Sequence, residues 1–215
     1  MNKLIVILVG VLVLAMSSIG YAAGGRGYVG GSAGVFLPRD SNVTDINGST
    51  TNQSYETGYV ITGFGGYEFG NGLRVEGELA YREAGLDNHV AGSYSNYSYY
   101  NHNDSLWAFS GMANLFYDIN TRSIVTPYLG GGIGFAVVGF DNRYNDYYNN
   151  YYYDYGSEEK TVFAYQVGGG VCFDLNRNMA LDVGYRYFGT EKIHFDFRDV
   201  ELESHNVTVG VKFKF

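Results

Sequence analysis

Acidic and basic residues recur at even spacing along several short stretches of this chain. Arg74, Glu76, Glu78 and Arg82 form one set, Asp182 and Arg186 another, and Lys212 and Lys214 a third. A spacing of two or four puts such groups on one face of an extended strand, where opposite charges can pair. Other reactive side chains are sparse: His89, His102, His194, His205 and the single cysteine, Cys172. Glu203, Ser204 and His205 carry the three residue types of a nucleophile–base–acid triad, but adjacent strand residues point to opposite faces and cannot converge. The helical zinc pattern HExxH does not occur. Asp141, Asp146 and Asp154 lack the regular spacing and glycine of a calcium loop and read as solvated carboxylates. Cys172 shares parity with Gln166, Gly168, Gly170 and Asp174, so a small buried side chain is expected there rather than a reactive thiol. No catalytic set, no metal site and no cofactor is expected.

A second concentration of chemistry is aromatic. Tyr94, Tyr97, Tyr99 and Tyr100 lie in NHVAGSYSNYSYYNHND, and Tyr144, Tyr147, Tyr148, Tyr151, Tyr152, Tyr153 and Tyr155 lie in DNRYNDYYNNYYYDYGSEE. Together they are half of the 22 tyrosines. Tyrosine offers large contact area at low rotamer cost, and the surrounding Ser, Gly and Asn supply adaptable hydrogen bonds. Such tracts suit recognition of a surface ligand, and equally an inert extension without a specific partner.

The elements that must position these residues are strands. In NVTVGVKFKF, Val207, Val209, Val211, Phe213 and Phe215 alternate with Asn206, Thr208, Gly210, Lys212 and Lys214. The same period of two runs from Leu73 to Arg82, from Trp107 to Asp118 and from Met179 to Phe188. Four glycine-rich segments, 26–37, 56–69, 124–138 and 160–174, complete a set of eight predicted strands. Their glycines suit the bent wall and narrow lumen of a small barrel. Short links (GNG, INTRS, LNRN) alternate with long ones at 38–55, 83–104, 139–159 and 189–204. That alternation of turn and loop is the rhythm of a transmembrane β-barrel. Ile193, Phe195 and Phe197 extend the alternation of strand seven, which predicts that strands seven and eight project outward as a hairpin with a raised edge.

The N-terminus reads as an export signal: Lys3, an apolar run from Leu4 to Met16, then small residues to Ala22. The run is shorter than the roughly 20 residues needed to cross a bilayer as a helix. Residues 1–22 are expected to be cleaved, leaving 23–215 as one domain. With 14 basic against 22 acidic residues the formal charge is −8, which gives no electrostatic basis for binding nucleic acid. A lone cysteine leaves the fold without an intramolecular disulfide.

Alternation alone does not say which face is inside. Large aromatics near strand ends on the apolar face, including the terminal Phe215, match interfacial girdles and place the charges in the lumen. The chain resembles the small outer-membrane β-barrel family (OmpA/OmpX-like, the opacity-type surface proteins of Gram-negative bacteria). The residues that carry the resemblance are GGYEFGNGLRVEGELAY at 65–81, MANLFYD at 112–118, TPYLGGGIGFA at 126–136, AYQVGGGVCFDLNRNMALDVGYRYF at 164–188 and the terminal VGVKFKF. The resemblance implies an all-β, eight-stranded antiparallel up-and-down transmembrane barrel in the bacterial outer membrane. It implies that Phe215 belongs to the signal read by the barrel assembly machinery, and that no peptidoglycan-binding domain follows it. Lipid A deacylases of this fold use a His-x-Ser pair, and none of the four histidines has that spacing; in ESHN, Ser204 precedes His205.

An eight-stranded barrel is only wide enough for its own side chains. Arg74, Glu76, Glu78, Arg82, Asp182, Arg186, Lys212 and Lys214 are therefore expected to pair as a lumen network that closes the channel. A narrow, porin-like pore for ions or small solutes is the alternative. The expected partners are outer-membrane lipid and lipopolysaccharide, the assembly machinery, and a glycan or host-surface protein at the tyrosine-rich loops.

Overall fold

The computed structural model describes residues 25–39, 41–45, 50–53, 56–85, 105–141, 144–145, 152–153, 159–195 and 198–215. The expected signal segment 1–22 and most of the tyrosine-rich connections lie outside them.

Eight strands make the wall: β1 (Arg26–Pro38), β2 (Gly58–Glu68), β3 (Leu73–Gly85), β4 (Ser105–Asp118), β5 (Val125–Asp141), β6 (Glu159–Asp174), β7 (Met179–Thr190) and β8 (Glu203–Lys214). Each pairs antiparallel with the next, and β8 closes on β1 from Tyr28↔Lys214 to Pro38↔Ser204. Closure leaves no edge strand, as an environment that cannot hydrogen-bond to free backbone requires. Residues 69–72, 119–124 and 175–178 connect strands at the end where Arg26 and Phe215 also lie. The first turn uses Gly72 at φ 89°, a conformation glycine adopts without a Cβ penalty. Asn176 Oδ1 accepts the Asn178 N–H in the last one.

The wall is inside-out by the standards of a water-soluble protein. Arg74, Glu76, Glu78, Arg82 and Lys212 are at most 4% exposed, whereas Leu129, Ile133, Phe135 and Val167 are each more than half exposed. The period of two puts every second side chain inward, so the alternation itself separates charge from hydrocarbon. Such a contiguous outer apolar band suits a lipid surround.

Several strands run further toward the long-loop end than the sequence pattern suggests. β3 reaches Gly85, β5 reaches Asp141 and β7 reaches Thr190, because ladder bonding continues past the last clear alternation. The expected projection of strands seven and eight as one hairpin is corrected. β7 stops at Thr190, whose N–H donates to the Leu202 carbonyl at 3.0 Å while its hydroxyl accepts from Leu202 N–H at 3.2 Å. Ile193–Phe195 and Arg198–Val200 form a separate hairpin, and Phe197 lies outside the described residues. That hairpin joins Ser41–Asp45 and Thr50–Gln53 of the first long connection in a four-stranded sheet, through Arg198↔Asp45 and Asp199↔Thr44. The raised edge, expected to be able to pair with another strand or protein, is at 198–200 paired with a strand of the same chain.

Candidate functional site: the lumen and the loop end

The inward residues arrange in three levels from the short-turn end upward. At the mouth, Lys214 Nζ lies 3.0 Å from Asp174 Oδ1 and 3.5 Å from Glu68 Oε2. Lys212 Nζ reaches Glu68 Oε1 at 3.5 Å and Cys172 Sγ at 3.4 Å. These partners come from the last residues of β2 and β6, which alternation carries inward.

Above the mouth, Arg74 is enclosed by aromatic rings. Its guanidinium lies 4.5 Å from the Tyr128 centroid and 4.7 Å from Phe116. Arg74 Nε is 3.3 Å from Asp118 Oδ1, and Nη1 is 3.7 Å from Glu76 Oε2. Tyr28 donates to Glu76 Oε2 at 2.8 Å, and Tyr128 donates to Asp182 Oδ1 at 2.9 Å. Gly170 makes room for that tyrosine: a Cβ there would stand 2.6 Å from Tyr128 Oη.

The third level is the densest in charge. Arg186 bridges Glu76 at 3.4 Å and Glu78 through Nη1 and Oε2. Arg82 turns back toward the same carboxylate, with Nη2 at 4.0 Å from Glu78 Oε1, and donates from Nη1 to Ser110 Oγ at 2.8 Å. Gln166 Nε2 donates to Asn114 Oδ1 at 2.7 Å. Charges held this deep cost several kcal/mol each unless paired, and these pairs and hydrogen bonds offset that cost.

Of the residues singled out by spacing, Arg74, Glu76, Glu78, Arg82 and Arg186 come together, and Lys212 and Lys214 form the mouth cluster. Asp182 stands apart: it accepts from two neutral donors, Tyr128 and Cys172 Sγ (2.9 Å). Spacing passed over Glu68, Asp118 and Asp174, and the ring-bearing Tyr28, Tyr128 and Phe116. The signal for the acids was parity, which puts Asp118 and Asp174 on the inward face of their strands; alternation alone does not show which lumen cation each one meets.

Above Arg82 the lumen changes character. Phe36, Val60, Leu106, Val138, Phe188 and Leu202 form one buried apolar cluster with four alanines and Val162, and Met112 extends it down to the level of its cross-strand partner Glu78.

The outer face carries aromatic side chains at both ends. Tyr59 and Tyr81 both donate to Glu83 Oε2, at 2.7 and 2.9 Å. His205 is on this outer face, stacked with Tyr185 and sharing a 2.7 Å hydrogen bond with its hydroxyl. Ser204 is fully buried on the lumen side, so the wall separates it from His205. At the other end the Phe215 N–H donates to Gly27 O at 2.9 Å, and its ring stands over that glycine. Tyr144 and the Tyr152–Tyr153 pair lie on two short strands paired with each other. Tyr94, Tyr97, Tyr99, Tyr100, Tyr147, Tyr148, Tyr151 and Tyr155 lie outside the described residues, as do His89 and His102.

Residues 6–215 match the family described as outer membrane protein beta-barrel domain. An outer membrane protein of Gluconacetobacter diazotrophicus is 29% identical over 171 residues, covering 76% of this chain and 43% of that protein. An uncharacterised protein of Brucella abortus is 29% identical over 136 residues, covering 57% of this chain and 48% of that one. The chain therefore spans about half the length of the curated relatives it matches. Among solved structures, Neisserial surface protein A superposes with a TM-score of 0.57 at 22% identity, covering 88% of this chain and 97% of that one. OprG of Pseudomonas aeruginosa superposes at 0.54 with 15% identity, covering 91% and 98%. At these identities the likeness is one of fold.

Proposed function

The chain belongs to the outer membrane protein beta-barrel family and resides in the bacterial outer membrane, and from that premise we propose that it is a non-catalytic surface barrel. Its lumen is closed, and its long loops serve interaction, adhesion or envelope integrity. The observation that carries this reading is the pairing of Arg198 and Asp199 with Asp45 and Thr44. Two loops far apart in sequence share one sheet, which favours a built platform over separate connections. The tyrosine-rich segments at 83–104 and 139–159 join the same end of the barrel and offer rings that stack on sugars or protein side chains. Their partners in this reading are lipopolysaccharide and a glycan or surface protein of another cell. Phe215 serves the assembly machinery. The ion pairs among Arg74, Glu76, Glu78, Arg82 and Arg186 support a closed lumen, since an eight-stranded barrel has no width to spare.

The test replaces 141–159 with a short Gly/Ser link and probes a glycan and matrix-protein array with the folded barrel. The reading expects binding by the parent and its loss in the variant, with heat-modifiable gel mobility unchanged. Equal array profiles for the two would overturn the assignment of those loops. Large, stable openings of the parent in planar bilayers would overturn the closed lumen in favour of a small channel.

A further inference from the structure

The lumen is two different media in series. From the mouth to Arg82 it is lined by charged and hydrogen-bonding groups, and accessibility falls along that path. The Asp174 side chain is 38% exposed, Glu68 20% and Lys214 13%, against 1% for Glu76 and Glu78. Several polar atoms here make no hydrogen bond to protein among the described residues: Arg186 Nε, Asn114 Nδ2, Gln166 Oε1 and Asn206 Oδ1. Buried polar groups left over by the protein are ordinarily satisfied by water. Past Arg82, Leu106, Val138 and Leu202, with Phe36 and Phe188 beside the Arg82 guanidinium level, are each at most 2% exposed. They are no more enclosed than Glu76 and Glu78, but their side chains offer water no hydrogen bond, which is what distinguishes the two levels.

We propose that the barrier to ions is this apolar septum rather than the ion-pair network beneath it. The polar part is a hydrated vestibule, blind at its loop end and open toward the short turns. A salt-bridge cluster supplies groups that can replace an ion's hydration shell. An apolar constriction supplies none and blocks by dewetting. Arg82 marks the boundary, with its guanidinium against the Phe188 ring and its nitrogens turned toward Ser110 and Glu78. The proposal rests on the closed-lumen reading and names what closes it.

Two measurements on the full barrel decide it. In planar bilayers, Leu106→Ser combined with Phe188→Ala should raise the current at least about ten-fold over the parent, because water enters where it was excluded. Glu78→Gln combined with Arg82→Gln should leave the parent's baseline unchanged. Silence from the first pair, or conduction by the second pair alone, overturns the septum while the parent's own silence still supports a closed lumen. Stable openings of the parent itself overturn the closed-lumen reading instead. The second measurement needs no variant and so is independent of folding defects. X-ray hydroxyl-radical labelling, which oxidises side chains beside bound water, should mark Tyr128 and Cys172 and spare Leu106, the partner of Ala84 beyond Arg82. Leucine is also oxidised by such radicals, so labelling of Leu106 at a rate similar to Tyr128, once each is corrected for its intrinsic reactivity, would overturn a dry septum.

Discussion

Arg82 holds its guanidinium carbon 4.0 Å from the centre of the Phe188 ring, and both side chains are buried. A desolvated cation on an aromatic face contributes up to about 2 kcal/mol, more than the same contact in water. A double-mutant cycle with Arg82→Met and Phe188→Leu should therefore show a coupling of about 0.5–2 kcal/mol in urea unfolding of the refolded barrel. Strict additivity would mean that the two merely lie near each other.

Arg186 contacts both Glu76 and Glu78, so its removal leaves those buried carboxylates only the longer ion pairs to Arg74 (3.7 Å) and Arg82 (4.0 Å). Arg186→Met is expected to destabilise the barrel by about 3–5 kcal/mol. Asp174→Asn at the mouth breaks a 3.0 Å contact to Lys214 on a partly exposed side chain and should cost no more than about 1 kcal/mol. Urea midpoints for the two variants, compared at constant m-value, check the contrast. Equal losses would show that depth does not govern these pairs.

These pairs also show how far the sequence could be read. The period of two placed Arg74, Glu76, Glu78, Arg82 and Arg186 on one face, and the short–long rhythm of connections placed the strands in order. Parity does not report depth. Leu106, Val138 and Phe188 share the inward parity with the charges, yet lie among the apolar residues of the loop end. Which inward residues are wet depends on which strands bring them to the same height, and that register is set by cross-strand pairing rather than by any one segment. The pairing of Asp118 and Glu68 was obscured for a related reason, since parity puts an acid on the inward face without saying which cation lies at its height. The pairing of 198–200 with 41–45 had no local signature, because the two segments are far apart in the chain with no shared turn.

The outer band makes a depth-dependent prediction. Ile133 is in the middle of β5 and 60% exposed on the outer face, while Tyr117 is next to the end of β4. In lipid, Ile133→Arg should cost about 2–4 kcal/mol and Tyr117→Arg about 0–1 kcal/mol. Unfolding in lipid vesicles reads both. Similar costs would argue that the two positions do not differ in membrane depth.

The loop-end sheet gives the sharpest geometric test. Thr44 and Asp199 are direct antiparallel partners, and such pairs have Cβ atoms about 4.5–5.5 Å apart. That spacing is near what a disulfide bridges with small backbone adjustment. In a Cys172→Ser background, Thr44→Cys with Asp199→Cys should oxidise to an intramolecular bond that closes a long loop and alters mobility on non-reducing gels after heating. Thr51→Cys with Asp199→Cys is the control, because Thr51 pairs with Val43 one strand further away. If the control cross-links as readily, the first and fourth loops do not keep this register, and the platform proposed for surface interaction loses its structural basis. If only the partnered pair cross-links, locking the two loops together should leave attachment to a surface ligand intact, because binding to a preformed platform requires no separation of its strands.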